Sequence, residues 1–346
     1  MKKTVGLLLM IALLSLSGIA CADRDISLGG FGDSGWAVIF ESVEPYKTVL
    51  VGYFNPEGQL MQGEWEFGVA FHEGRAGVEL NGQYGFIDTT GELVIPYEWK
   101  NVKFFHEGLA AVLKDGKWGF IDTDGNLVIP YQWDYCSYGF CEGVAVVSNK
   151  GEGKYDVIDK EGNVSFSVVA DYAQSYFSEG LLGIQRDGKY GFVDSTGELV
   201  IPCTWDNVNP FTAGVAKVKL GNSYFGINQK GETVISYKEL MGCDNAWSFS
   251  DDLCRVQKDG LQGYIDRKGN LVIPCEWMDA TEFIDGIACV KKGALWGAID
   301  QTGELVIPCK YRDVVRSEGY IAMIDNDVIT ILDSDLNETG QLSLVK

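Results

Sequence analysis

Histidine is almost missing from this chain: His72 and His106 are the only two among its 346 residues. Gly32-Asp33-Ser34-Gly35 resembles the nucleophile segment of trypsin-like proteases, but that fold presents its His and Asp before the Ser, and no His precedes Ser34. There is no Cys-x-x-Cys pair to suggest a zinc site. Asp122-x-Asp124-Gly125-Asn126 lacks the bidentate Glu of a calcium loop, and its middle place becomes Thr90, Glu161 or Lys230 elsewhere, so a turn is expected. Positive charge is scarce as well. The 28 Lys and Arg against 49 Asp and Glu leave a formal net charge of −21, which repels nucleic acid phosphates and anionic lipid heads. No metal, cofactor or nucleic acid is expected.

Long apolar runs are lacking beyond the start. Met1-Lys2-Lys3, the apolar stretch Val5 to Leu16 and the small residues Ser17, Gly18 and Ala20 make a secretory signal over residues 1–22, too short to anchor in a bilayer. Ala20-Cys21-Ala22 fits an Ala-x-Ala cleavage. The alternative is lipidation of Cys21, although Gly18 stands where such signals usually carry Leu. The expected location is extracellular or at the cell surface, with membrane contact only through such a lipid.

Eight cysteines remain beyond the signal, and an exported chain can oxidise them. Their places suggest small apolar core groups instead. Cys203, Cys275 and Cys309 take the slot of Tyr97 and Tyr131, and Cys254 that of Ala110 and Ala145. Were any to pair, the short loop between Cys136 and Cys141 makes those two the favoured couple.

What the chain has in abundance is one sentence written repeatedly. Lys117-Trp118-Gly119-Phe120-Ile121-Asp122-Thr123-Asp124-Gly125-Asn126-Leu127-Val128-Ile129-Pro130 recurs from Tyr84, Tyr190 and Trp296, with worn copies between. Anchored on the Asp after Ile, nine copies fall at Asn55, Asp88, Asp122, Asp159, Asp194, Asn228, Asp266, Asp300 and Asp333, at steps of 33 to 38 residues. A period near 35 means stacked units, none able to bury its apolar face alone. The copies fill residues 23–346 and leave no room for a second domain; the divergent first and last are expected to cap the ends.

Each copy divides into three strands. Phe105 to Val112 alternates small and branched residues, Asp115-Gly116 makes a hairpin turn, and Trp118 to Ile121 follows. Asp122 caps a second turn with Gly125 in the left-handed position, and Leu127-Val128-Ile129 ends at Pro130. Gly119 leaves room beside the aromatic residues, and the third strand, apolar on both faces, calls for cover on both. The expected fold is all-β, an open tandem array of three-stranded antiparallel meanders. A β-propeller-like ring is the alternative, set second because its blades usually need a fourth strand.

Trp118-Gly119-Phe120-Ile121-Asp122 with its downstream Gly and Leu-Val-Ile-Pro resembles the bacterial WG-repeat family across most of the chain. Tyr84 and Tyr190 replace the Trp, Asp156 replaces the Gly, and the copy at Phe225-Gly226-Ile227-Asn228 is one residue short. The resemblance implies a β-rich repeat protein, commonly exported or surface-associated, with no catalytic residues to carry over.

Two rows of side chains are the candidate ligand contacts. Glu73, Glu107, Glu142 and Glu179 precede a Gly in successive copies and would form an acidic stripe, with Asp285 and Glu318 as counterparts. Trp99, Trp133, Trp205 and Trp277 follow the Pro by three residues and would offer flat faces to sugar rings unless they serve the core, which is the expected outcome. His72 and His106 hold the same slot of adjacent copies and would face each other. The function expected is non-catalytic binding of a protein or cell-envelope glycan. A glycan-acting hydrolase using acidic side chains and a structural surface spacer are the alternatives.

Overall fold

The computed structural model describes residues 25–32, 34–44, 47–236, 243, 245–317, 319–325 and 328–343. The signal segment with Cys21, and the residues Asp33 and Glu318, lie outside these. The described residues form nine four-stranded antiparallel sheets and no helix. In blade 3 the strands are Asn101–His106, Leu109–Lys114, Lys117–Asp122 and Leu127–Trp133, hydrogen-bonded in chain order. The nine blades cover residues 25–61, 67–99, 101–133, 135–169, 172–205, 207–236, 245–277, 279–311 and 313–343.

Local chemistry sets the two inner hairpins. Asp115 and Gly116 both take positive φ, at 51° and 79°, which matches the twist of the strands they join. At the second turn Asp122 Oδ1 accepts the N–H of Asp124 at 3.0 Å and of Asn126 at 2.8 Å, while Gly125 sits at φ 87°. The calcium-like segment is therefore a carboxylate-capped turn.

The strand added to the expected three is the first of each blade, and it comes mostly from residues that read as a connecting loop. The short first strands, such as Tyr135–Cys136 and Tyr172–Ala173, follow at once on the Trp slot of the preceding copy, held by Trp133 and Ala170 in these two. They hydrogen-bond to the strand that the sequence placed first. The last strand also runs further than expected. Leu127–Trp133 continues through Pro130, which an edge strand tolerates because the side without a donor faces no neighbour.

Pro130 nonetheless disturbs the ladder. Trp118 pairs with Trp133 and Phe120 with Ile129, so Gly119 alone faces the three residues Pro130 to Gln132. A Cβ on Gly119 would lie 2.8 Å from the Ile129 carbonyl oxygen, and on Gly191 only 2.3 Å from that of Ile201. Glycine recurs here because backbone presses on backbone across a bulge, joined at Gly119 by the Tyr131 ring at 2.9 Å.

Neighbouring blades share their cores. Trp118, Phe120, Ile129 and Trp133 of blade 3 pack with Cys136, Phe140, Val147 and Ile158 of blade 4. Each such side chain contributes about 1.5–3 kcal/mol when fully buried. Blade 1 meets blade 9 in the same way: Ala37, Ile39 and Phe54 share one core with Ala322, Ile324, Ile331 and Leu342, and Thr339 donates to the Pro56 carbonyl at 2.8 Å. The chain is thus a closed nine-bladed β-propeller, the ring alternative rather than the open array. Every blade has an apolar face on either side, so an open row would leave two faces bare; closure covers both. The divergent first and last copies are not caps. They are blades adapted to each other.

The first strand of blade 1 (Asp25–Phe31) adjoins that of blade 9 (Asp313–Ser317), and the first strands of blades 3 and 7 adjoin the second strands of blades 2 and 6, so the first strands form the inner rim. The fourth strands form the outer rim. In blade 3 Ile129 of this strand is buried, but Leu127 and Val128 remain 47% and 43% exposed, so the last strand is covered on one face only.

The cysteines follow the apolar-core expectation. Cys136 is buried in the blade 3–4 core, where desolvation pushes its thiol up to about 12, and it is not bonded to Cys141, whose thiol approaches the Phe177 carbonyl at 3.4 Å. Cys203, Cys275 and Cys309 pack at the edges of other cores, each thiol raised by burial.

Candidate ligand-binding cleft on the inner rim

A tight turn precedes the second strand of the blades, and in blades 2 to 5 its Glu-Gly pair takes positive φ, as at Glu107 (53°) and Gly108 (87°). That conformation aims the carboxylate at the next blade. Glu73 accepts the Gly108 N–H at 2.8 Å, Glu107 that of Gly143 at 3.1 Å, and Glu179 that of Gly214 at 3.0 Å. Glu142 accepts two, from Glu179 at 2.7 Å and Gly180 at 2.9 Å. Asp251 and Asp285 do the same for Gly286 and Gly319, at 2.8 and 2.9 Å. Ser34 takes the position in blade 1 and accepts from Gly74 at 2.9 Å, which gives the protease-like segment a structural role.

The acidic row therefore exists, yet its carboxylates clasp blade to blade instead of standing open as a stripe. Burial by itself would raise the Glu107 carboxyl. Hydrogen bonds from Lys160 and from the N–H groups of Gly143 and Glu142 outweigh it and hold the group below the usual carboxylate range. Lys160 also forms an ion pair with Glu107 at 3.0 Å.

The Trp row is core for the most part. Trp99, Trp133 and Trp277 are 2%, 4% and 5% exposed, and Trp205 is half-buried. A stacking platform needs free ring faces, and these indoles lie against Phe86, Phe120 and the next blade. The Trp99 indole N–H donates to the Tyr131 hydroxyl of blade 3 at 2.9 Å. In blade 8 the Tyr131 slot holds Cys309, and the buried Trp277 N–H has no acceptor among the described residues.

Accessible aromatic rings lie elsewhere. His72 and His106 do face each other across a blade boundary, with ring centroids 5.1 Å apart. Phe104 lies 4.7 Å from His72, Tyr138 lies 6.3 Å from Phe104, and Tyr176 another 6.3 Å from Tyr138. These rings line a cleft of about 610 Å³ on the inner rim of blades 2 to 5, together with Phe140 and Cys141. Tyr138 is 54% exposed, the most open ring of the row.

The chemistry of the cleft is that of stacking and hydroxyl or imidazole hydrogen bonding around an apolar floor. Phe104, Tyr138 and Tyr176 were not singled out from the sequence. Their signal is an aromatic at one slot of three consecutive copies, alternating with the buried Phe105, Phe140 and Phe177. It is masked by a one-residue insertion, relative to the Phe104 copy, that falls after Tyr138 in one copy and before Tyr176 in the next and breaks the spacing.

Seven successive segments, residues 84–118, 118–155, 157–190, 190–224, 227–261, 263–296 and 296–327, match the family described as WG containing repeat. No curated protein matches the chain. Similar solved structures include a eukaryotic initiation factor, at 13% identity and TM-score 0.52, covering 75% of this chain and 82% of that one. Apo AztD from Citrobacter koseri aligns at 12% identity and TM-score 0.42, over 92% and 94% of the two chains. Hsv2p from Kluyveromyces lactis aligns at 12% and 0.42, over 70% and 92%. At such identities the likeness concerns fold alone. The seven matched segments occupy most of the sequence, and the chain belongs to the WG-repeat family.

Proposed function

We propose that this propeller is a non-catalytic binding protein, exported or surface-associated, whose inner-rim cleft holds a cell-envelope glycan. The observation that carries the reading is the row His72, Phe104, Tyr138 and Tyr176, which offers ring faces across four blades around one cleft. Sugar rings present C–H faces that suit such a surface, and the Tyr hydroxyls and imidazoles supply the few polar contacts that orient a ligand. A protein partner would use the same exposed aromatics as anchors. The hydrolase alternative loses support because Glu73, Glu107, Glu142 and Glu179 are held in near-equivalent blade contacts. A glycosidase needs two carboxyl groups in differing environments.

The export reading rests on residues 1–22 as a signal, with cleavage before Asp23 or lipidation at Cys21. Mass spectrometry of the mature N-terminus separates the two. The binding test is a glycan array and a cell-wall pull-down with residues 23–346, alongside Tyr138→Ala. Retention of a glycan by the parent chain and its loss in the variant is the expected result. Equal retention by both would move the ligand away from this cleft, and capture of protein alone would replace the glycan as partner.

A further inference from the structure

We propose that blade 6 carries a binding site for a small oxyanion, formed by Lys217, Lys219, Asn207 and Asn209 where this blade meets blade 7. Asn207 pairs with Lys219, which pairs in turn with Tyr224, and Lys217 pairs with Gly226, so these residues share one face of the sheet. Along the first strand Asn209 follows Asn207 on that face, and its N–H donates to the Lys217 carbonyl at 2.8 Å. The face lines a cavity of about 180 Å³, bounded by the two Asn, the two Lys, Val218 and Tyr224. A water occupies about 30 Å³ of liquid, so the space suits a tetrahedral or carboxylate anion with some hydration.

The position of Lys217 is the unusual part. In most other blades its slot holds Gly77, Ala111, Val146, Gly183, Cys289 or Ala322, small groups that let blades pack closely, while blade 7 has Arg255 there, bonded to the Ala280 carbonyl and paired with Glu282. In blade 6 the Lys217 cation is drawn into the seam. Its ammonium lies 5.2 Å from the Tyr224 ring centroid and 5.9 Å from that of Trp247, and donates to the Ala246 carbonyl. Lys219 lies over the other approach to Tyr224, at 5.6 Å.

Charge balance points the same way. Lys117, Lys160 and Lys189 each pair with a carboxylate, and Arg255, stacked 4.0 Å from Trp247, pairs with Glu282 at 2.9 Å. Among the described residues Lys217 has no carboxylate partner, and Arg255 adds like charge from the next blade. Asp206, which feels the Lys219 charge, is already held by Lys189 at 2.5 Å and the Gly221 N–H at 2.6 Å. In a protein of net charge −21, Lys217 without a carboxylate and Lys219 with only a shared Asp206 leave positive charge around a polar cavity that an outside anion would balance. The Asn side-chain amides supply neutral donors, and the cation-coated Tyr224 ring walls the site.

The test is titration of the purified protein with inorganic phosphate, sulfate and acetate at constant ionic strength, read by Trp fluorescence and thermal melting. A saturable response with a raised melting temperature is expected, and the ranking of the three probes tells a phosphate or sulfate ligand from a carboxylate one. Lys217→Met and Lys219→Met should each weaken binding by about tenfold or more, whereas Lys217→Arg should retain it. Lys217 is the one bonded to the Ala246 carbonyl of the next blade, so the Lys219 variant keeps the test decisive if Lys217→Met disturbs folding. No saturable response to any of the three anions, or an undiminished response in Lys219→Met, would overturn the proposal.

Discussion

The carboxylate of Glu107 accepts a hydrogen bond from the backbone N–H of Gly143, 36 residues later and one blade on, at 3.1 Å. The same clasp recurs around much of the ring with Glu, Asp or Ser as acceptor. Removing one acceptor strands a turn N–H next to solvent and breaks the Lys160 ion pair. Glu107→Ala should therefore destabilise by about 1 kcal/mol, since both groups are partly exposed and water replaces much of the loss. Urea unfolding measures it; an unchanged midpoint would mean that core packing alone sets the blade spacing.

Acid should loosen the propeller at its second turns. Hydrogen bonds from Asn126 hold the Asp122 carboxyl below its ordinary value, and Asp88, Asp159, Asp194, Asp266, Asp300 and Asp333 are lowered by equivalent turn contacts. A depressed carboxyl contributes stability that is fully present above its unfolded pKa, about 3.9, and is lost as pH falls through the lower folded value. Melting temperature followed downward from about pH 6 should begin to drop near that unfolded value. Asn228 makes the same turn contacts without a charge, accepting from Lys230 and Glu232 at 3.0 Å. Asp122→Asn combined with Asp194→Asn should accordingly flatten the profile while keeping the fold.

Gly191→Val should cost about 2–4 kcal/mol. The added Cβ would lie 2.3 Å from the Ile201 carbonyl oxygen and 2.7 Å from the Cys203 nitrogen, and neither backbone atom can turn aside as a side chain would. A thermal melt within about one degree of the parent would show that the fourth strand yields freely at its proline.

Trp133 and Tyr138 are both aromatic and near in sequence, yet they should behave oppositely. Trp133→Ala opens a cavity in the core shared by blades 3 and 4 and should cost about 3–5 kcal/mol. Tyr138→Ala, at a half-exposed ring, should change stability by no more than about 0.5 kcal/mol while removing ligand retention. Acrylamide quenching of single-Trp variants gives an independent check. Strong quenching at Trp133 with an unchanged melt would return the Trp row to the binding surface.

The sequence by itself determined what is local. Asp115-Gly116 and the Asp122 to Gly125 turn carry their own backbone preferences, so hairpins and the nine-fold period were legible without any distant partner. The acidic row was legible too, because a repeated slot in stacked units must line up. Tertiary structure decided the rest. Whether residues after Trp133 make a loop or a strand depends on Val147 and Ser148 offering Cys136 and Tyr135 a free edge. Closure depends on Phe54 meeting Ile331, residues 277 apart whose contact exists only once all nine blades have accumulated their rotation. That rotation also sorts the aromatics, turning Trp99 and Trp133 beneath the next blade while Phe104, Tyr138 and Tyr176 converge on the inner rim, and no local preference distinguishes a ring that will be covered from one that will not.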